Sequence, residues 1–480
     1  MKKSAWKHSI TMAICLMISL LAVGVTAGCS LLDGNSKNSS SDLGSIDSEI
    51  SEEQVESSFE VEVSSSEEDV TSVEETSSES SESSEEPVKP VENPLKISEF
   101  TEPVVPYIDA VRNYLEAGAG AKVGNYYETV ETQAAPVQVK WKYNVEGARK
   151  FVVEYATKVD FSDSLSIEVG ASKRVADIYN LYKATKYYVR VTALNSKNEV
   201  LHTAESEFET TSLGPRFMYI DDVRNVRDLG GYETIDGKML VQGIAYRGGA
   251  LTAPPGNIHY SNEISESGKQ YMSEVMGIKT EIDFRTASES GVTLEQGSVI
   301  PGATLTYITL NGYKDTFDYD DEYRAFFSML ADKNSYPLYM HCTGGADRTG
   351  SVSFLLHTML GVSELECLQG YELTSFSTYG LRDTQDGGTY QKYFDGFMTK
   401  LNTYEGTTMQ EKVQTWMLSI GVTQEQIDTI KGIFYGEIAI ADEEAKDVKE
   451  IPIVRSAEKK MLNEMLEETA KGWAIQKKKD

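Results

Sequence analysis

Ten residues constrain this chain most: His341-Cys342-Thr343-Gly344-Gly345-Ala346-Asp347-Arg348-Thr349-Gly350. An apolar run at 336–340 precedes them, and a second at 352–360 follows. The short run reads as a buried strand, the longer one as a helix, and the glycines as the tight loop between them. A helix N-terminus turns unpaired backbone N–H groups and the positive end of its dipole toward whatever precedes it, so such a loop is an anion site. A cysteine at the base of the loop sits where positive potential favours the thiolate, its nucleophilic form. An arginine six positions on can return as a planar fork onto two phosphate oxygens. The stretch predicts a phosphate cradle with a thiolate in its floor.

Cys-x5-Arg followed by Thr, with His before the Cys, resembles the signature of the cysteine-dependent protein tyrosine phosphatases. The form Cys-x-x-Gly-x-Asp-Arg-Thr-Gly resembles their atypical bacterial members. Asn225-Val226-Arg227-Asp228-Leu229-Gly230-Gly231-Tyr232, Gly243-Ile244-Ala245-Tyr246-Arg247 and Gly277-Ile278-Lys279-Thr280-Glu281-Ile282-Asp283-Phe284-Arg285 follow in that family's order. The resemblance covers about residues 215–440. It implies an α/β domain with a central, largely parallel sheet flanked by helices. The alternation of strand and helix signals agrees, with strands expected at 280–284 and 337–340 and helices at 409–418 and 424–434.

The resemblance also implies roles. Cys342 attacks phosphorus and forms a cysteinyl-phosphate. Arg348 binds the equatorial oxygens, and Thr343, Gly344, Gly345, Ala346 and Arg285 belong to the substrate-binding set. Thr349 hydrogen-bonds the thiolate, and His341 orders the loop. Three aspartates compete to protonate the leaving group. Asp347 matches the aspartate of the signature; its alternative role is a helix cap. Asp283 matches the Ile-Asp-x-Arg motif. Asp315 lies 27 residues before Cys342, in an acidic, aromatic stretch at 313–323 that reads equally well as a solvated lid. Atypical members usually carry Lys where this chain has Ala346. Its absence weighs against multiply phosphorylated ligands and toward phosphotyrosine.

The first 29 residues carry Lys2, Lys3 and Lys7, an apolar run at 10–25, and then Val25-Thr26-Ala27-Gly28-Cys29. They read as an export signal. The small residues before Cys29 resemble a bacterial lipobox, which implies lipidation at Cys29 and an anchor on the extracytoplasmic face of the membrane. An ordinary signal peptide and an uncleaved span are the alternatives; the run is short for a bilayer. Residues 30–93 are rich in Ser and Glu and cannot bury enough apolar surface to order, so a disordered tether is expected. The chain's formal net charge is −30, and about −17 of it lies between Asp33 and Glu86. The acidity therefore says little about substrate. No basic stripe is visible, so nucleic acid is not an expected partner. Of four cysteines, only Cys342 and Cys367 remain beyond Cys29. Two free thiols are expected, with a reversible protective disulfide between them as the alternative.

Residues 133–212 show period-two alternation with turns between, as in an all-β sandwich, while 98–130 are ambiguous, with partial helical spacing at 107–115 that a Gly/Ala stretch breaks; the expected module spans 94–213. The spacing of Leu181, Thr185, Tyr187, Val189 and Val191, with Trp141, resembles fibronectin type III modules. That implies a spacer, or a module for a protein or glycan ligand. Tyr187 should bury its ring and hydrogen-bond nearby backbone. Residues 214–440 form the expected catalytic domain, and 441–480 a charged tail. Five histidines without paired ligand spacing imply no metal, and no cofactor is expected.

The expected function is a lipid-anchored phosphatase acting on a phosphotyrosine protein or a small phosphomonoester. The alternatives are a phytase-like enzyme for inositol phosphates and a non-catalytic adhesion protein that binds a phosphorylated ligand.

Overall fold

A computed structural model describes residues 92–440, apart from 131, 255–262 and 386. Cys29 with its signal, nearly all of the tether and the tail at 441–480 lie outside the described residues.

In Val137–Lys142, buried and exposed residues alternate without exception. That pattern makes it one strand of an antiparallel module. The module runs β1 (Lys96–Ile97), an insertion holding helix α1 (Asp109–Glu116), β2 (Val137–Lys142), β3 (Lys150–Ala156), β4 (Leu165–Gly170), β5 (Val175–Ile178), β6 (Lys186–Leu194) and β7 (Val200–Glu209). Its two sheets, β1-β2-β5 and β4-β3-β6-β7, face one another over a single core. Trp141, Phe151, Tyr187 and Phe208 fill that core, as inward positions of period-two strands must. The backbone N–H of Tyr182 donates to the Tyr187 hydroxyl at 2.8 Å, so the buried phenol is satisfied.

The α/β unit follows with β8 (Arg227–Asp228), β9 (Ala245–Gly248), α2 (Glu266–Gln270), β10 (Thr280–Asp283), α3 (Ala287–Ser290), β11 (Thr304–Tyr307), α4 (Asp320–Leu330), β12 (Leu338–His341), α5 (Asp347–Met359), α6 (Glu364–Glu372), α7 (Gln391–Leu401), α8 (Met409–Ser419) and α9 (Gln424–Phe434). The sheet order is β11-β10-β12-β9-β8, parallel except for β8 against β9. β10 and β12 are buried at every position, as strands covered on both faces must be. One face packs against α4, α5, α7, α8 and α9 around Trp416; the other is covered by Met272, Met276 and Ile264. Helix α5 is buried from Thr349 through Met359. The α8 and α9 starts are set by capping boxes, Thr408 with Glu411 and Thr423 with Gln426.

The β module and the α/β unit fall within one compact unit. A shared core joins them: Tyr107, Val111, Tyr114 and Leu115 of the insertion pack with Phe217, Tyr219, Leu373 and Phe376. Arg216 forms a buried ion pair with Asp228 at 3.1 Å and donates to the carbonyls of Asn180 and Leu181. A boundary at 213/214 is thus one of connectivity, while the hydrophobic packing runs across it.

Among the described residues, no helix is long and apolar enough to cross a membrane, and no three potential metal ligands cluster.

His357 of α5 lies against the carbonyl of Leu229, with Nε2 at 2.8 Å. Burial lowers its pKa to about 4, and the charges of Arg247 and Arg227 add to this against the Leu229 hydrogen bond. An unfolded histidine titrates near 6.5. Below that pH the unfolded chain takes a proton the folded one refuses, so stability falls between pH 6.5 and about 4. We expect this group to account for about 2 kcal/mol of the stability lost by pH 5. Urea unfolding of His357→Gln at pH 7 and pH 5 checks it. An undiminished drop in the variant would remove His357 from that role.

Candidate active site

The loop between β12 and α5 is held from behind. Ala250 N–H (3.1 Å) and the Tyr379 hydroxyl (3.2 Å) donate to Thr343 O. Asn225 Nδ2 donates to Gly344 O (3.0 Å) and Gly345 O (3.3 Å), and Arg247 Nη2 donates to Gly345 O at 2.6 Å. With its carbonyls drawn outward, the loop turns its amides the other way. Those of Thr343, Gly344, Gly345 and Ala346 meet no acceptor among the described residues. Gly345 is required twice over: its φ is +60°, and a Cβ there would lie 2.2 Å from Gly248 O. Cys342 is buried beneath these amides at the N-terminus of α5, the setting for a nucleophile facing a bound anion.

The positive charge under the loop comes from β8 and β9. Arg227 and Arg247 are register partners there, both buried. Neither has a carboxylate partner among the described residues, and the Nε of each lacks an acceptor. Burial lowers Arg247 to about 10, although Tyr232 and Cys342 act to raise it. Burial and the neighbouring Arg247 also push Arg227 downward. A buried charge without a counter-ion is costly, so this pair is stabilised by whatever negative charge the loop acquires, thiolate or phosphate.

Arg348 reaches Glu289 with both ends of its fork, at 3.2 Å each, and Thr343 Oγ1 at 3.4 Å. Burial disfavours its charge, but Cys342 and Glu289 outweigh that and raise its pKa. Glu289 is placed by the Thr286 capping box at the start of α3. Glu289 and an incoming phosphate present the same bidentate acceptor, so the fork is already shaped for its ligand.

Asp347 is the first residue of α5 and is 39% exposed. Its Oδ1 accepts from the Tyr313 hydroxyl (2.5 Å), the Tyr371 hydroxyl (3.1 Å) and Arg382 Nε (3.0 Å). Burial and the Asp347 charge raise both phenols, so they remain donors at neutral pH. Tyr313 is held at φ +61°, with its N–H donating to Ser351 Oγ and Gly312 against the Asp347 backbone. A strained non-glycine residue at a site is the kind of outlier that function retains. Three donors on Oδ1 fix the carboxyl, and none is recorded on Oδ2 among the described residues.

Other expected participants stand elsewhere. Asp283 is buried between Arg285 and His341. Burial acts to raise its pKa, but the charges of His341 and Arg285 and the Arg285 hydrogen bonds outweigh this and lower it. That suits a permanent carboxylate, not a proton donor. Arg285, 2% exposed, spends its donors on Asp283, Thr252 and the Glu289 carbonyl. It supports the Glu289 turn, with its recorded donors taken up inside the protein. Asp315 is exposed; from its stretch it is Tyr313 that reaches the site. His341 is fully buried, with Nε2 3.0 Å from Glu281 and Nδ1 3.4 Å from the Cys342 carbonyl. Thr349 Oγ1 is buried without a recorded partner, so no thiolate bond is seen for it. Ala346 is the N-cap of α5 and offers no side-chain cap. Cys367 sits against Thr358, near the far end of α5. Eleven helical residues separate Thr358 from Asp347, about 16 Å, far beyond disulfide reach of Cys342. Burial raises the Cys367 thiol to about 12, and both cysteines are free.

Residues 218–435 match the family model described as Tyrosine phosphatase family. The α/β unit matches a phosphatase family. A "Putative tyrosine-protein phosphatase" of Cupriavidus necator is 24% identical over 182 residues, 33% of this chain and 63% of that protein. This chain thus spans under two thirds of that relative's length. The core catalytic domain of the PP-IP phosphatase SIW14 from S. cerevisiae, solved with citrate, aligns at 12% identity with a TM-score of 0.21, over 36% of this chain and 80% of that one.

Reasoning from sequence left Asn225, Arg227 and Arg247 inside quoted motifs without roles, and missed Glu289, Tyr313, Tyr371 and Arg382. Only Glu289 carried a local signal, the Thr-x-x-Glu capping box. The others act through contacts with residues far away in the chain.

Proposed function

We propose that this protein is a cysteine-dependent phosphatase that hydrolyses phosphotyrosine or related aryl phosphomonoesters. The observation that carries the reading is the loop whose Thr343, Gly344 and Gly345 carbonyls are all held from behind, with Cys342 at its base and Arg348 just after it. In the first step the Cys342 thiolate forms the S–P bond as the P–O bond to the leaving group breaks. Loop amides and Arg348 hold the equatorial oxygens. Asp347 gives its proton to the leaving oxygen, and the donors on Oδ1 stabilise the carboxylate left behind. The same carboxylate then takes a proton from the water that cleaves the S–P bond, releasing phosphate and the thiolate.

The aryl preference rests on a tyrosine-rich surround. Tyr313, which donates to Asp347, stacks on the half-exposed Tyr393 at 5.2 Å. Flat rings of this kind accept an aromatic leaving group. We propose further that Cys29 anchors the protein at the extracytoplasmic face, on the strength of the signal-like residues 1–29, and that the β module is a fibronectin type III-like unit.

The test compares phosphotyrosyl peptides with inositol phosphates as substrates of the full chain. Faster turnover of inositol phosphates would replace the aryl reading with the phytase-like one. For the acid, Asp347→Asn is expected to remove the basic limb of the pH–rate profile and lower kcat on a poor leaving group by about 10²–10⁴-fold. A retained basic limb would assign the proton elsewhere.

A further inference from the structure

Gln133 belongs to the insertion of the β module, yet it is 1% exposed and lies against the α/β unit. Its backbone is fixed: Ile108 N–H donates to Gln133 O, and the adjacent Ala134 bridges to Tyr107. Its Nε2 donates to Asn225 Oδ1 at 3.2 Å and faces Leu373 O at 3.4 Å. Asn225 is itself 1% exposed and at φ +59°, and its Nδ2 holds Gly344 O and Gly345 O.

An asparagine amide has two faces, and only one works here. Turned the wrong way, Oδ1 would oppose two carbonyl oxygens and the loop would lose its clamp. Donation onto Oδ1 selects the orientation that points NH2 at the loop. Arg227 Nη2 also donates to Oδ1, but at 3.4 Å. Gln133 makes the shorter bond.

We propose that Gln133 is a positioning residue of the phosphate loop, acting through Asn225 to hold the loop amides toward the anion. The N-terminal module is then a working part of the site. A second contact from the insertion points the same way: the Tyr114 hydroxyl donates to Glu372 at 2.6 Å. Glu372 also accepts from the N–H and hydroxyl of Thr384, two residues beyond the Arg382 that pairs with Asp347.

This inference rests on the phosphate-loop reading, so its test includes binding as well as turnover. Tungstate, a phosphate-like oxyanion, is titrated calorimetrically into the full chain and its Gln133 variants, alongside p-nitrophenyl phosphate kinetics and thermal melts. Gln133→Met is expected to weaken tungstate binding and lower kcat, each on the order of tenfold, since a misplaced loop costs about that much for a fraction of an ångström. Gln133→Glu keeps the size. Its carboxyl donates to Asn225 Oδ1 only when protonated, so its activity relative to wild type should rise as pH falls. Mere structural damage would not follow pH in that way. Wild-type tungstate affinity in folded Gln133→Met, or a pH-independent loss in Gln133→Glu, overturns the proposal. Tungstate binding without any turnover would sink the enzyme reading and leave this comparison intact; no tungstate binding by wild type would sink both.

Discussion

Serine at position 342 is expected to end turnover of p-nitrophenyl phosphate, with a loss of about four to six orders of magnitude, as when a covalent nucleophile is removed elsewhere. The reason is chemical. A hydroxyl in the same place is almost wholly protonated at neutral pH and has no base beside it. The clamps on the loop come from Asn225, Arg247, Ala250 and Tyr379, and Cys342→Ser touches none of them. Tungstate binding should therefore survive within a few fold. Steady-state kinetics and calorimetry on the same preparation read both quantities, and acid quenching of wild type should trap a phosphorylated Cys342. Turnover by Cys342→Ser at the wild-type rate would remove Cys342 as the nucleophile, and no turnover by either protein would sink both enzymatic readings.

Arg247→Met should separate activity from stability. Arg247 donates to Gly345 O at 2.6 Å and brings positive charge to the β12 side of Cys342, yet its Nε has no acceptor and no carboxylate partner is recorded. Arg247 acts on the loop and not on the bound anion, and misplacing a positioned group by about an ångström costs on the order of 10² in kcat. Stability should move little. A hydrogen bond from a charged donor contributes about 1.5–3 kcal/mol, while an unpaired buried charge costs several kcal/mol. Methionine keeps the apolar bulk and removes that charge. The expected result is a far less active protein whose melting temperature is unchanged or higher. Wild-type activity, or a deep loss of stability with activity preserved per folded molecule, would show Arg247 to be scaffold alone.

Local pattern reached a good part of this fold. Strands expected at 280–284 and 337–340 fall at Thr280–Asp283 and Leu338–His341, and helices expected at 409–418 and 424–434 fall at Met409–Ser419 and Gln424–Phe434. Such elements carry their own signals: an unbroken apolar run, a capping box, a 3.6-residue period. The region at 98–130 is ambiguous in sequence because its helix, Asp109–Glu116, shares a core with Phe217, Tyr219, Leu373 and Phe376 as well as with nearby Val123 and Ala134. No local pattern records a partner more than a hundred positions away.

The site divides along the same line. From the sequence alone came the candidate nucleophile, the arginine and the glycine loop between them, because a strand, a five-residue turn and a helix N-terminus are contiguous and their chemistry is local. The tertiary structure decided the rest. Parallel pairing put Asp283 beside His341, where with Arg285 two positions on it stays ionised, and carried Arg247 beneath the loop. Packing of separate segments brought Tyr313, Tyr371 and Arg382 onto Asp347, and an insertion from the N-terminal module onto Asn225. Charge and hydrogen bonding act through space, over a few ångströms, and only the folded chain determines which residues those few ångströms contain.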